Sequence, residues 1–132
     1  MPFRAKTNFL SGAHAAGDTY KMALVKVGHA GTYNNTFDGV GTPGTGAPSV
    51  TNLGTDEASG TGYTAGGFTM AGYTAGNNGT TEAWIDWTTD PNWTTATISA
   101  VGAIIYNDTD AGKPAVGLYD FGGTVSSTAG TF

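Results

Sequence analysis

The sequence has 132 residues, of which 5 are Lys or Arg and 10 are Asp or Glu, and its net charge is −5. One compact core usually serves about 100–200 residues, so the length indicates a single domain. The absence of cysteine excludes disulfide bonds, thiol nucleophiles and thiolate metal sites, and the few scattered Lys and Arg side chains disfavour nucleic-acid binding.

The composition predicts an all-β domain. Only 11% of the residues are charged, 22 are glycine, and threonine is abundant. Helices favour Ala, Leu, Glu, Lys and Arg, whereas runs of Thr, Tyr and Val separated by Gly suit strands and turns. Free soluble domains usually carry about 25% charged residues, so the low charge also indicates that a partner covers part of the surface.

The first third of the chain divides into an arm, a strand and a loop. Residues 1–8 contain two cations and no periodicity, which predicts an extended arm that only a partner orders. The domain itself is predicted to span residues 9–132, and Thr19–Val27 alternates with the period of two expected of a strand. Residues 29–62 are rich in Gly, Thr, Asn and Pro, which predicts a long surface loop with at most one short strand at Ser49–Leu53.

Short strand-like runs separated by turn signals follow this loop. They are residues 63–73 with a break at Gly66-Gly67, 81–87, 95–106, 114–121 and 124–132. Asn77-Asn78-Gly79 predicts a hairpin because Asn and Gly tolerate positive φ, and residues 107–112 predict another turn. The apolar face of the longest run is expected to be core, and its members are Ile98, Ala100, Gly102, Ile104 and Tyr106. The pattern predicts an antiparallel β-sandwich or a barrel-like domain.

No run of residues points to a catalytic or metal site. His14 and His29 lack metal-ligand spacing and are expected to be solvent-facing turn residues, and no Gly-x-Ser-x-Gly motif occurs. Asp108–Gly112 resembles the opening of a calcium loop, but Tyr119 stands where the bidentate Glu is required, so a turn is favoured. We therefore expect no cofactor, no metal and no enzymatic activity, and we rank an enzyme behind the binding functions considered below.

Three tryptophans lie within ten residues, which is compatible with a sugar-stacking platform. Trp84 and Trp87 have opposite parity in their strand, so at most one of them points inward. Trp84 and Trp93 are the candidate glycan contacts, although one or two tryptophans are normally core residues in a small β domain. The chain has no apolar run long enough to cross a membrane and no apolar stretch at its N-terminus, so we expect a protein made in the cytosol.

The arm and the long loop are the segments that we expect to meet a partner. Their aromatic and basic side chains are the candidate contacts, namely Phe3, Arg4, Lys6, Phe9, Tyr33 and Phe37.

Several runs of the sequence carry a resemblance to a known family. These runs are Asn8–His14, Asp18–Leu24, Gly60–Gly67, Asp90–Thr94, Ala100–Asn107, Ala115–Gly123 and Ser126–Phe132. With them the chain resembles small virion structural proteins of tailed bacteriophages, over most of its length except residues 31–59. The motifs are typical of the fold and carry no catalytic residues.

The resemblance implies a capsid decoration, or cement, protein that binds the major capsid protein or other virion subunits and forms a homo-oligomer on the particle. A protein facing packaged DNA would meet phosphate repulsion, so the negative charge favours the outer surface of the head. A neck, tail or fibre accessory protein of the same virion is the first alternative. A carbohydrate-binding adhesion module that uses Trp84 or Trp93 is the second.

Overall fold

The computed structural model describes residues 1–132 and confirms the all-β prediction. The elements in chain order are helix α1 (Phe3–Leu10), strand β1 (Tyr20–Lys26), a 3-10 turn (Gly54–Asp56), and strands β2 (Phe68–Met70), β3 (Tyr73–Asn77), β4 (Ala83–Trp87), β5 (Ala96–Asn107) and β6 (Ala115–Gly130). A four-stranded antiparallel sheet has the order β2-β1-β5-β6, and β3 and β4 form a separate hairpin. The one helix is neither long nor apolar enough to span a membrane.

Strand β1 is the strand that the alternating run predicted, and it lies between β2 and β5. Ala23 and Val25 pack on one face of the sheet with Ile104 of β5, while Leu24 packs on the other face with Ala103. The hairpin β3-β4 covers part of this second face, where Trp87 packs against Tyr20. The arrangement is therefore sandwich-like, with apolar side chains on both faces of the central strands.

Strand β5 is interrupted by a bulge that the sequence pattern did not reveal. Ala100 pairs with Lys26 and Gly102 with Val25, so Val101 is an extra residue in β5. A bulge reverses the alternation of the side chains that follow it. The five residues expected on one face are all buried, but Ile98 and Ala100 belong to the core around Leu24, whereas Ile104 and Tyr106 belong to the core around Val25.

Strand β6 is one strand of 16 residues where two were expected. Asp120 pairs with Gly102 and Val125 with Ala100, so residues 121–124 bulge out of the ladder. Gly122 has a φ of +71°, and its N–H donates to Oδ1 of Asp120 at 2.8 Å. The Gly122-Gly123 pair, read as a break between strands, is thus a bend within one strand.

The segment of residues 29–62 is not a surface loop over its whole length, which corrects the prediction. Phe37, Val40 and Leu53 are fully buried and pack against Ile104 and Tyr106. Backbone bonds tie this segment to the start of β6, among them the N–H of Val40 to the carbonyl of Lys113. Its apolar residues are widely and irregularly spaced, so their spacing shows neither helical nor strand periodicity and did not predict their burial. The strand expected at Ser49–Leu53 is a tight turn in which Ser49 and Asn52 pair.

The N-terminal residues form a helix packed on the domain, and the extended arm was a wrong prediction. Ala5 is fully buried, and Phe9, one helical turn later, packs beside His14 with ring centroids 4.8 Å apart. The N–H of Phe3 donates to the carbonyl of Asn35, and Arg4 lies 3.3 Å from Asp38. Two inward-facing residues are too few to show as helical periodicity, which is why the sequence favoured an arm.

The hairpin predicted from Asn77-Asn78-Gly79 is confirmed. The side-chain oxygen of Asn78 accepts hydrogen bonds from the backbone N–H groups of Thr80, Thr81 and Glu82. It thereby holds the connection between β3 and β4 closed.

Candidate functional site

A groove of about 510 Å³ lies on the sheet face formed by β1, β5 and β6. The half-buried Val101 and Leu118, together with the almost fully buried Val25 and Ile104, give it an apolar side. Residues 28–33 flank it on one side, and Asp120 and Gly123 of the β6 bulge flank it on the other. A volume of this order is within the range of about 300–1,000 Å³ in which proteins bind ligands or partner side chains.

Gly102 allows β6 to approach at this point. A side-chain carbon at Gly102 would lie 2.5 Å from the carbonyl oxygen of Tyr119, closer than any real contact. The close strand approach and the bulge that follows it therefore depend on glycine at this position.

A buried carboxylate holds the wall of residues 30–33 in place. The Asp56 carboxylate, 1% exposed, accepts hydrogen bonds from the N–H groups of Ala30 and Gly31 and from the Tyr33 hydroxyl at 2.7 Å. Burial acts to raise the pKa of Asp56, but the hydrogen bonds and the nearby Lys26 ammonium outweigh it and the pKa is lowered. Asp56 thus fixes Tyr33 against Phe37, whose ring centroid is 5.1 Å away.

The polar groups around the groove present hydrogen-bond acceptors. His29 Nδ1 lies 3.0 Å from the carbonyl oxygen of Gly31, and since a carbonyl can only accept, Nδ1 is the donor in this contact. The Tyr33 hydroxyl donates its proton in a hydrogen bond to Asp56, so its oxygen can only accept a further hydrogen bond. Oδ1 of Asp120 accepts a hydrogen bond from the Gly122 N–H, and Oδ2 has no such partner. The groove therefore suits an apolar group that carries a hydrogen-bond donor or a positive charge.

A second buried carboxylate lies beneath β1. Oε1 of Glu57 accepts hydrogen bonds from the Tyr63 hydroxyl at 2.8 Å and the Gly66 N–H at 2.6 Å, whereas Oε2 is buried without a partner. Burial, opposed by these two hydrogen bonds, raises the pKa of Glu57. The Tyr63 hydroxyl also accepts the N–H of Leu24, so the group joins β1 to the segment that follows it.

His14 is buried, at 5% exposed, and not the solvent-facing residue that was expected. Its Nδ1 lies 3.3 Å from the side-chain amide of Asn107, and its Nε2 lies 3.5 Å from that of Asn8. Burial lowers the pKa of His14, and Asp110 and Asp18 oppose this effect without cancelling it. The imidazole therefore connects helix α1 to the end of β5. His29, by contrast, is exposed as expected.

The structure separates the predicted partner contacts into two groups. Phe3 is 66% exposed, and Arg4 and Lys6 are also exposed on α1. Phe37 is fully buried and Phe9 is half-buried beside His14, so both are core residues; Phe37 as a surface contact is corrected. Tyr33 is half-buried and lines the groove.

The two candidate glycan contacts also differ. Trp93, 7% exposed, packs against Tyr63, Phe68 and Phe132 in the core, so its role as a glycan contact is corrected. Trp84 is 51% exposed, and its ring lies over Gly76 of the facing strand. Trp87 is buried, so only one of the two tryptophans of β4 points inward, which agrees with their opposite parity.

In the turn after β5, Asp108 forms ion pairs that hold the turn against the rest of the domain. Asp108 forms ion pairs with Lys21 and Lys113, and burial is outweighed by these two lysines, so that the pKa of Asp108 is lowered. No three His, Asp or Glu side chains converge as metal ligands in the structure.

The groove was not found from the sequence, because its residues come from β1, the 28–33 segment, β5 and β6. Gly122-Gly123, a pair of glycines inside a strand-like run, was the one local signal of the bulge that flanks it. Comparisons with protein-family models, with curated proteins and with solved structures gave no match.

Proposed function

We propose that the chain is a non-enzymatic structural protein of a tailed-phage virion, a decoration or cement protein that binds the outer surface of the head. The feature that supports it best is the outer edge of β6. The resemblance described above supplies the class of particle, and the edge supplies a physical means of attachment.

Strand β6 is the last strand of its sheet, and its outer edge is open over most of its length. Beyond Ala115 its backbone makes no hydrogen bond to any segment except β5. Residues 121–132 contain no charged side chain, and Tyr119, Phe121 and Val125 are 51%, 36% and 45% exposed.

Such an edge is suited to adding a strand or an extended segment from another protein. Free sheet edges are normally protected by lysine, proline or inward-pointing charges, because unpaired N–H and C=O groups otherwise recruit other chains. Here the bulge at 121–124 and the exposed Asp120 before it are the protective features, and residues 125–130 of the edge are uncharged. The free energy of binding would come from backbone hydrogen bonds and apolar burial, as in other cases of strand addition.

A cement protein stabilises a shell because it binds the assembled state and not the dissociated subunits. The net charge of −5 is compatible with the outer surface, where the protein does not face packaged DNA. No turnover is involved in this function.

The test is to strip the protein from particles, titrate it back at low and high salt, and measure occupancy together with the temperature at which the shell ruptures. We expect occupancy to be nearly independent of salt, because screening weakens electrostatic association and leaves apolar association almost unchanged. We expect rupture temperature to rise with occupancy.

Val125→Lys is the informative variant, since it places an ammonium group on the open edge. It should reduce occupancy, whereas Val27→Lys, at a valine that is 47% exposed and lies outside β6, should bind like the wild type. Full occupancy without any rise in rupture temperature would contradict the cement role. Imaging of labelled protein on the particle distinguishes the head from the neck, tail or fibre.

Trp84 supports a second candidate, an adhesion module that binds carbohydrate. Its half-exposed ring on β4 offers a stacking face for one sugar. Glycan-array binding that vanishes in Trp84→Ala would favour this function over the cement role.

A further inference from the structure

We propose that the groove binds the exposed face of helix α1 from a second copy of this chain, with Phe3 against the apolar side of the groove and Lys6 beside Asp120. This inference rests on the proposed function only in that both describe an assembling protein. The groove lies on the sheet face beside the β6 bulge, whereas the attachment proposed above uses backbone groups and apolar side chains along the β6 edge.

The groove combines an apolar side with an acidic rim. The groove's apolar side is formed by the half-buried Val101 and Leu118, together with the almost fully buried Val25 and Ile104. Its polar rim offers the free carboxylate oxygen of Asp120, whose other oxygen accepts the Gly122 N–H. An occupant that fits both parts carries an apolar group and a cation or hydrogen-bond donor a few ångströms apart.

Lys6 is the one Lys or Arg side chain without an ion-pair partner. Arg4 pairs with Asp38, Lys21 and Lys113 pair with Asp108, and Lys26 pairs with Asp56. The Lys6 ammonium lies instead 5.8 Å from the ring centroid of its neighbour Phe3. The two side chains together form the apolar and cationic group that the groove requires.

Helix α1 turns an apolar face away from the domain. Ala5 and Phe9 face the domain, while Phe3, Lys6 and Leu10 share the opposite face at the helical spacing of three to four residues. Phe3 is 66% and Leu10 is 90% exposed, so this face of the helix is apolar around its lysine. Helices on the surface of a domain normally place apolar residues inward, and an outward apolar face is typical of a binding surface.

No residue of α1 lines the groove of its own molecule. A helix α1 that enters the groove would therefore belong to another molecule, and charge complementarity between Lys6 and Asp120 favours a second copy of this chain. Because the contact includes an ion pair at the protein surface, it weakens with salt, unlike the contact proposed for the β6 edge.

The experiment is sedimentation velocity over a range of concentrations at low and high salt, applied to the wild type and to charge-reversal variants. We expect reversible self-association of the wild type. Lys6→Glu and Asp120→Lys should each weaken it by about tenfold, because each variant faces like charges across the contact. The double variant Lys6→Glu/Asp120→Lys should restore association, since the pair is re-formed with its charges exchanged.

The matched control is Lys6→Glu/Asp90→Lys, which has the same net charge as the double variant. Asp90 is exposed and lies outside the groove, so this control should associate no better than Lys6→Glu alone. Phe3→Ala tests the apolar part of the contact and should also weaken association. Circular dichroism and melting curves confirm that each variant is folded.

A wild-type chain that stays monomeric at every concentration and both salt levels would overturn the inference. Equal association of the two double variants would overturn it as well. Particle binding that is lost in Val125→Lys but retained in Asp120→Lys would leave the proposed function intact whatever the result for self-association, so the two failures are distinguishable.

Discussion

His14 is the residue whose protonation state most directly joins two parts of the molecule. Its ring lies between Phe9 of α1 and Asn107 at the end of β5. The Asn107 side-chain oxygen accepts the N–H of Thr109, so its amide N–H2 faces His14 Nδ1 and requires that nitrogen to be an acceptor. The neutral imidazole satisfies this arrangement, and the imidazolium does not.

Acidification should destabilise the protein through this residue. The folded-state pKa of His14 is lowered from its usual 6.5, so the unfolded chain binds more protons below that pH. The contribution of His14 to the free energy of unfolding is fully present above about pH 6.5. It is lost as the pH falls from there through the folded-state pKa. Urea unfolding across this range should show a steeper decline for the wild type than for His14→Gln.

His29→Gln is the control, because His29 is exposed and lies outside this network. Its stability should follow the wild-type curve. Glu57 has the opposite effect on stability, because its pKa is raised in the folded state. Its contribution to the free energy of unfolding is present below about pH 4.5 and is lost as the pH rises from there. The difference between the wild type and His14→Gln isolates the histidine, and parallel curves for the two would contradict the assignment.

At the scale of elements, helix α1 depends on few contacts with the domain. Phe9 packs in the core that contains Tyr20 and Trp87, and Ala5 is buried nearby, while the neighbouring Leu10 is 90% exposed. The stability of the helix on the domain therefore rests on one large side chain. An eight-residue helix is only marginally stable without such packing.

Phe9→Ala should lower the free energy of unfolding by about 1–3 kcal/mol, because it removes a half-buried aromatic ring. Leu10→Ala, at the adjacent position, should change it by less than about 0.5 kcal/mol. Chemical denaturation of the two variants measures both values. Equal effects would mean that the helix does not pack as described.

The strands were largely predictable because their signals are local. The alternation in β1 and the Asn-Gly turn of β3-β4 each lie within about ten residues, and both were confirmed. The bulge at Val101 was not predictable, since it is defined by the register against β1 and β6. Nor was the burial of Phe37, which depends on the distant contact with Ile104 and Tyr106. The groove was not predicted either, because its lining comes from segments that are distant in the sequence.

At the scale of the whole molecule, the core is assembled from segments far apart in the sequence. Ile104 packs with Val25 of β1, with Phe37 and Leu53 of the long connection, and with Ala115 of β6. It is 1% exposed, so the interior cannot easily collapse around a smaller residue.

Ile104→Ala should cost about 2–5 kcal/mol, a large share of the roughly 5–15 kcal/mol available to a small domain. Val50→Ala, at a valine that is 50% exposed, should change stability by less than about 0.5 kcal/mol. Denaturant unfolding of both variants gives the comparison. A loss below about 0.5 kcal/mol for Ile104→Ala would show that the long connection does not close over this face.

Strand β1 finds its hydrogen-bonding partners late in the chain. Met22 pairs with Ile105, a separation of 83 residues (105 − 22), whereas β5 and β6 are joined by a turn of 7 residues (108–114). Closing a long loop lowers the chain entropy before the new contacts have formed. We therefore expect β5 and β6 to pair first and β1 to join them more slowly. During synthesis β1 leaves the ribosome well before β5 exists, and it must remain unpaired without aggregating. Lys21 and Lys26, which finally bind Asp108 and Asp56, are charged residues at the two ends of this apolar strand and would keep it soluble during that interval.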